Sequence, residues 1–325
     1  MMDLLAIEPH KISTDLSSYV TLVYGTPKCG KSTFMHKAFG KDALFIATEK
    51  GYLGLAGVMA VDTPNWKTFR DVIKQLKKPE VQAKFKVIVI DTVDLLYDMA
   101  IKHVIMINGV DKLGDIPFGG GYKMVDDLFK DALLEIQGLG YGMAFISHST
   151  SITNEDTGNT KYTPSLNKRG AGIINKMVDT IGFAYLKQGE NGEERVLYLR
   201  ETLAFTAGTR FAYMPPVIPL DANIFKEEMS KAIAKEGEVD ADAITSKKVS
   251  GLVVMEEFDY DKLMADLKVV AGKFRDGEKL DDMRFIIENH LGKGKLISEL
   301  VKGQEEIMSI VLDELRDKAK ELGIA

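Results

Sequence analysis

The feature that most constrains this chain is a glycine-rich turn set between a strand pattern and a helix pattern. Residues 20–24 (VTLVY) form an apolar, β-branched run, and residues 32–39 (STFMHKAF) have helical spacing. Between them lies Gly25-Thr26-Pro27-Lys28-Cys29-Gly30-Lys31-Ser32. This octapeptide fits G-x-x-x-x-G-K-[ST] in the strand–loop–helix context that its mechanism requires. Gly25 and Gly30 allow a tight turn whose N–H groups can surround phosphate oxygens, and the helix N-terminus adds donors and a favourable dipole. Lys31 is expected to neutralise β- and γ-phosphates and Ser32 to place its hydroxyl on Mg²⁺, with Thr33 completing the phosphate-binding set. A chance match at a glycine turn is the competing reading, which the flanking strand and helix disfavour. Cys29 reads as a small filler of the loop. The expected ligands are ATP and Mg²⁺.

Further along, apolar runs alternate with helical patterns. Strands are expected at 43–48 (ALFIAT), 87–90 (VIVI) and 142–147 (GMAFIS), and helices over 65–76, 91–107 and 122–137. The run at 87–90 is apolar throughout, as suits a central strand covered on both faces. Later strands are expected at 178–186 and 195–200, joined by the turn GENGE. This alternation predicts an α/β fold with a mostly parallel central sheet and right-handed crossovers. Pro215, Pro216 and Pro219 close the sheet region, which divides the chain into an ATP-binding core over 1–225 and an acidic helical region over 226–325. Residues 233–250 form a candidate linker. Helical spacing returns at 260–274, 280–291 and 307–322, predicting a small helical extension.

Composition narrows the classes. Apolar residues make up 45% and charged residues 28%, an ordinary globular balance. No apolar stretch approaches the roughly 20 residues that span a bilayer, and MMDLLAIEPHK lacks the features of a secretory signal. A cytoplasmic protein without a membrane partner is expected. One cysteine cannot form an internal disulfide, and five scattered histidines do not make a zinc cluster. The net charge is −6, with 17 basic and 24 acidic residues in 221–325. Binding of nucleic acid would therefore need local basic loops or a multimer that concentrates them.

Strand ends supply the remaining candidates. Asp91 ends the 87–90 strand, where an aspartate can hold Mg²⁺ or simply cap the next helix. No carboxylate stands directly beside it, so the group that deprotonates an attacking water must come from elsewhere. Glu49, after the 43–48 strand, would face the same crevice, although an ordinary exposed glutamate fits that spacing equally. His148, after the 142–147 strand, could sense a γ-phosphate or be merely solvated. Two segments are long for connections: 109–123, with Phe118, Tyr122 and Lys123, and 149–169, with Lys161, Tyr162, Lys168 and Arg169. Aromatics and cations together suit single-stranded nucleic acid, and flexible surface loops are the alternative.

In order, GTPKCGKST, LFIATEKGY, VIVIDTVD, AFISHS and AGTRFAYMPPVIPLD resemble the phage RecA-like single-strand annealing proteins of the Sak-four type, over about residues 18–225. The resemblance implies a RecA-like P-loop NTPase core that hydrolyses ATP, binds single-stranded DNA, assembles as a ring or filament and promotes annealing or strand exchange. A single-strand-binding protein is a further implied partner, and a phage-encoded chain would work in the host cytoplasm. The resemblance assigns water activation to Glu49, Mg²⁺ to Asp91, and coupling of the γ-phosphate to the DNA loop to His148. It also implies that Lys168 and Arg169 could reach a neighbouring subunit's nucleotide. Two alternatives stay open: an annealing module that uses ATP as an assembly switch, and a RecA-like helicase or loader motor.

Overall fold

Val87, Ile88, Val89 and Ile90 serve two hydrophobic cores in alternation, which is why the run is apolar at every position. Ile88 and Ile90 belong to one core, Val87 and Val89 to the other, and none is more than 2% exposed.

The computed structural model describes residues 9–153, 159–189, 192–237, 244–246 and 259–324. It divides into two units, Met1–Val254 and Met255–Ala325. The first begins with β1 (Ile12–Ser13), β2 (Thr21–Gly25), α1 (Lys31–Phe39), β3 (Ala43–Ala47), β4 (Met59–Asp62), α2 (Trp66–Leu76) and α3 (Pro79–Lys84). It continues with β5 (Val87–Asp91), α4 (Val93–Asn108), α5 (Gly120–Gly138), β6 (Gly142–Thr153), β7 (Thr160–Pro164), α6 (Lys168–Met177) and β8 (Thr180–Gly189). It closes with β9 (Gly192–Tyr198), β10 (Gly208–Thr209), β11 (Val217–Pro219), α7 (Ala222–Glu236) and β12 (Ile244–Thr245).

The main sheet runs in the order β11-β9-β8-β2-β6-β5-β3-β4. From β8 to β4 its strands are parallel, and β9 and β11 add an antiparallel edge. This is a mostly parallel α/β core, as the alternation of strand and helix patterns predicts. On one face α2, α4 and α5 bury Phe69, Leu96 and Phe129. On the other, α1 and α7 meet through Phe34 and Phe225, whose rings are 5.5 Å apart and edge-on. Gly25 pairs with His148, and Asp91 with Ile146, so the strands' carboxyl ends form one ledge.

Four differences from the sequence reading have physical causes. The core unit extends beyond residue 225, because Phe225, Met229 and Ile233 of α7 are buried against α1's face of the sheet. Of the candidate linker, 233–236 end α7 and β12 pairs in parallel with β1, while 238–243 and 247–250 lie outside the described residues. The segment 149–169 is not one loop: β6 continues to Thr153, β7 returns antiparallel to it, and α6 starts at Lys168. Polar residues on both sides of this ribbon erase the alternation that marks a strand; residues 154–158 lie outside the described residues. Finally, α5 starts at Gly120, inside the glycine run read as loop. Of the turn GENGE, residues 190 and 191 lie outside the described residues.

The second unit is helical, as the spacing predicts: α8 (Tyr260–Asp276), α9 (Leu280–Leu291) and α10 (Glu305–Glu321) enclose Leu267, Phe274, Ile287, Met308 and Leu315.

Phe129 is fully buried, so Phe129→Ala is expected to cost about 3–5 kcal/mol of first-unit stability. Urea unfolding of both proteins checks this, and a loss below about 1 kcal/mol would contradict the packing described.

Candidate nucleotide and metal site

The loop that leaves β2 is shaped by its two glycines. Gly30 has φ +108°, in the left-handed region that glycine enters freely, and starts α1 without a side-chain cap. The first-turn N–H groups of α1 are thus left for a ligand. A Cβ on Gly25 would lie 2.2 Å from the Ala184 carbonyl oxygen, so only glycine permits the approach to β8. Lys31 is buried and its Nζ donates to the carbonyls of Gly25 and Thr26, both at 2.9 Å. The ammonium thereby lies across the loop. Cys29 is buried in the core shared with Phe34 and Met35, and Thr26, Pro27, Lys28 and Thr33 are exposed.

Asp91 ends β5 and is 2% exposed. Its Oδ2 accepts from Ser32 Oγ at 2.7 Å, while its buried Oδ1 has no hydrogen-bond partner. Burial pushes this carboxyl up to about 6; Ser32, Lys31 and His148 oppose the rise and the charge of Glu49 adds to it. A buried carboxylate oxygen left unpaired is costly. With the hydroxyl beside it, it is the kind of hard oxygen set that suits Mg²⁺. The space beside Gly51 fits the same ligand: a Cβ built there would lie 3.6 Å from Asp91 Oδ2 and 3.7 Å from both Glu49 Oε1 and Ser32 Oγ.

Glu49 and His148 face each other, with His148 Nε2 3.6 Å from Glu49 Oε1. The other ring nitrogen, Nδ1, is 2.8 Å from Asp94 Oδ2. The Asp94 hydrogen bond is the main cause that raises the pKa of His148, and the charges of Asp94 and Glu49 add to it against burial and Lys31. Glu49, Asp91 and His148, expected from separate strand ends, are therefore in one place with Lys31 and Ser32.

Asp94, Gly51 and Arg195 are functional candidates that the sequence reading missed. Arg195, on β9, has Nη1 3.7 Å from where a Cβ on Gly30 would sit, and its side chain makes no ion pair among the described residues. Its strand is remote in sequence from the loop, so no motif spacing could reveal it.

The candidate nucleic-acid residues divide. Phe118 is fully exposed at φ +57° just before Gly119, Gly120 and Gly121. Tyr122 is brought against α6, where the Arg169 guanidinium lies 5.8 Å from its ring centroid. Arg169 Nε also donates to Asp126 at 2.8 Å. Lys123 pairs with Asp127 and Lys161 with Glu201. Lys168 is exposed and makes no ion pair among the described residues.

A phosphate loop, a buried strand-end aspartate facing its serine, and a parallel sheet define a P-loop nucleotide-binding domain. The chain belongs to the AAA domain family, whose model matches residues 17–211. It is 28% identical over 320 residues to the SPbeta prophage-derived uncharacterized protein YorG of Bacillus subtilis (strain 168), covering 94% of this chain and 95% of that protein. It is also similar to the KaiC-like protein PH0186 from Pyrococcus horikoshii OT3, over 57% of this chain and 80% of that one, at 12% identity and TM-score 0.32. No described helix is long and apolar enough to cross a membrane.

Two variants test the site. Lys31→Ala is expected to abolish ATP binding in calorimetry while the melting temperature is kept; retained affinity would contradict the loop assignment. Gly51→Ala meets its neighbours only at ordinary contact distance, so it should leave stability nearly unchanged and weaken Mg²⁺-dependent nucleotide binding. Equal affinity with and without the methyl group would place the cation elsewhere.

Proposed function

We propose that this chain is a Mg²⁺-dependent ATPase that acts on single-stranded DNA in annealing or recombination, and that it works as a homo-oligomer. The observation that carries the ATPase reading is the space beside Gly51, bordered by Ser32 Oγ, Asp91 Oδ2 and Glu49 Oε1. Mg²⁺ held by Ser32 and Asp91 would neutralise charge on the β- and γ-phosphate oxygens. Glu49 would take the proton from a water that adds to the γ-phosphorus as ADP leaves. Lys31 would release its two loop carbonyls and turn to the phosphates. His148 would report the state of that site along β6 to the ribbon beyond it.

The DNA reading is supported by Phe118, displayed whole beside three glycines, and by Tyr122 paired with the Arg169 guanidinium. Exposed rings stack on bases and cations meet phosphates. Lys168 is the better candidate for reaching a neighbouring subunit's nucleotide, because Arg169 is tied to Asp126 within its own chain. The prophage origin of the relative YorG fits a phage-encoded protein working in the host cytoplasm. A second reading, ATP as an assembly switch with little turnover, is favoured by the position of Glu49, held beside His148 Nε2.

ATP hydrolysis is expected to rise when single-stranded oligonucleotide is added; no rise, with no gel shift at low salt, would overturn the proposal. Glu49→Gln should lower hydrolysis by about 100-fold or more. Annealing lost with it supports coupled catalysis, whereas annealing retained supports the switch.

A further inference from the structure

Asp94 stands in the first turn of α4, 7% exposed, and each of its carboxyl oxygens lies within hydrogen-bond distance of His148. Oδ1 is 3.3 Å from the backbone N–H of His148, which it accepts, and Oδ2 is 2.8 Å from ring Nδ1. Burial would raise this carboxyl, but the hydrogen bond and charge of His148 outweigh it and hold Asp94 below the usual carboxylate range. Ionised, it accepts only, so Nδ1 must carry the hydrogen. That leaves Nε2 as the working edge of the ring, 3.6 Å from Glu49 Oε1.

We propose that Asp94 is the positioning residue for His148, fixing the ring in its Nδ1–H form and aiming Nε2 at Glu49. This rests on the reading of the site as an ATPase centre. The placement has a mechanical side as well. Asp94 lies three residues after Asp91, so one carboxylate joins the start of α4, just past the end of β5, to His148 midway along β6. A shift of either strand end would be felt by the other. Among the described residues, no hydrogen bond or ion pair joins Asp94 to the phosphate loop, and its two shortest side-chain hydrogen bonds go to His148.

Asp94→Asn keeps the shape and changes the chemistry. If the amide oxygen keeps the backbone N–H of His148, the amide nitrogen faces Nδ1 with a hydrogen, and the ring must move its own hydrogen to Nε2. The experiment is ¹⁵N NMR of the His148 ring at a pH where it is neutral, assigned among the five histidines with His148→Gln, together with steady-state ATPase kinetics. The expected result is Nδ1–H in the native protein and Nε2–H in Asp94→Asn. The variant's kcat should fall about 10- to 100-fold with KM little changed. In a His148→Gln background the same substitution should cost nothing further, since Asp94 acts through that ring.

The same ring form in both proteins would overturn the proposal, and so would losses that simply add. If the native protein proves not to hydrolyse ATP, the ATPase reading fails alone. The NMR arm then decides the positioning role: Nδ1–H in the native protein sustains it and Nε2–H overturns it. The native spectrum serves equally should Asp94→Asn fail to fold.

Discussion

A 2.7 Å hydrogen bond from Ser32 Oγ to Asp91 Oδ2 joins two segments whose strands are not neighbours, since β6 lies between β2 and β5. Much of the site follows from that arrangement. The strand inserted between the phosphate loop and the buried aspartate carries His148 level with Gly25, and the residue is thereby set between the two. Burying Asp91 with one oxygen unpaired costs the empty fold stability. Carboxylates perturbed in this way cluster at functional sites, which makes Asp91 a candidate metal-holding group.

The ledge is also tied to what lies beyond it. Tyr24 immediately precedes the phosphate loop, and its hydroxyl donates to the carbonyls of Thr206 and Tyr162, at 2.6 and 3.1 Å. Tyr162 stacks on Phe183 of β8, and Tyr24 stacks on the same ring. The β6–β7 ribbon, which continues directly from His148, is thus pinned to the strand that carries the loop. The strand that leads into the phosphate loop and the ribbon share one packed aromatic cluster.

Local chemistry was legible in the sequence where function and fold coincide in a few consecutive residues. The loop at 25–32, the strand ending in Asp91, and the α/β order could be read because glycine spacing and uninterrupted apolar runs have few other uses. What escaped depends on partners far apart in the chain. Asp94 looks like an ordinary first-turn helix residue until β6 brings His148 against it, 54 positions away. Arg195 reaches Gly30 only because β9 forms the antiparallel edge beside β8. The strands at 149–153 and 160–164 lack an apolar face and so read as loop, and the five buried residues of α7 are hidden among charged ones.

A structure with Mn²⁺ and a non-hydrolysable ATP analogue locates the cation by its anomalous signal. The expected peak lies about 2.1 Å from Ser32 Oγ, beside the Asp91 carboxylate, with the phosphates inside the loop of residues 25–32. Phosphates bound away from that loop, or a peak remote from both Ser32 and Asp91, would contradict the site described.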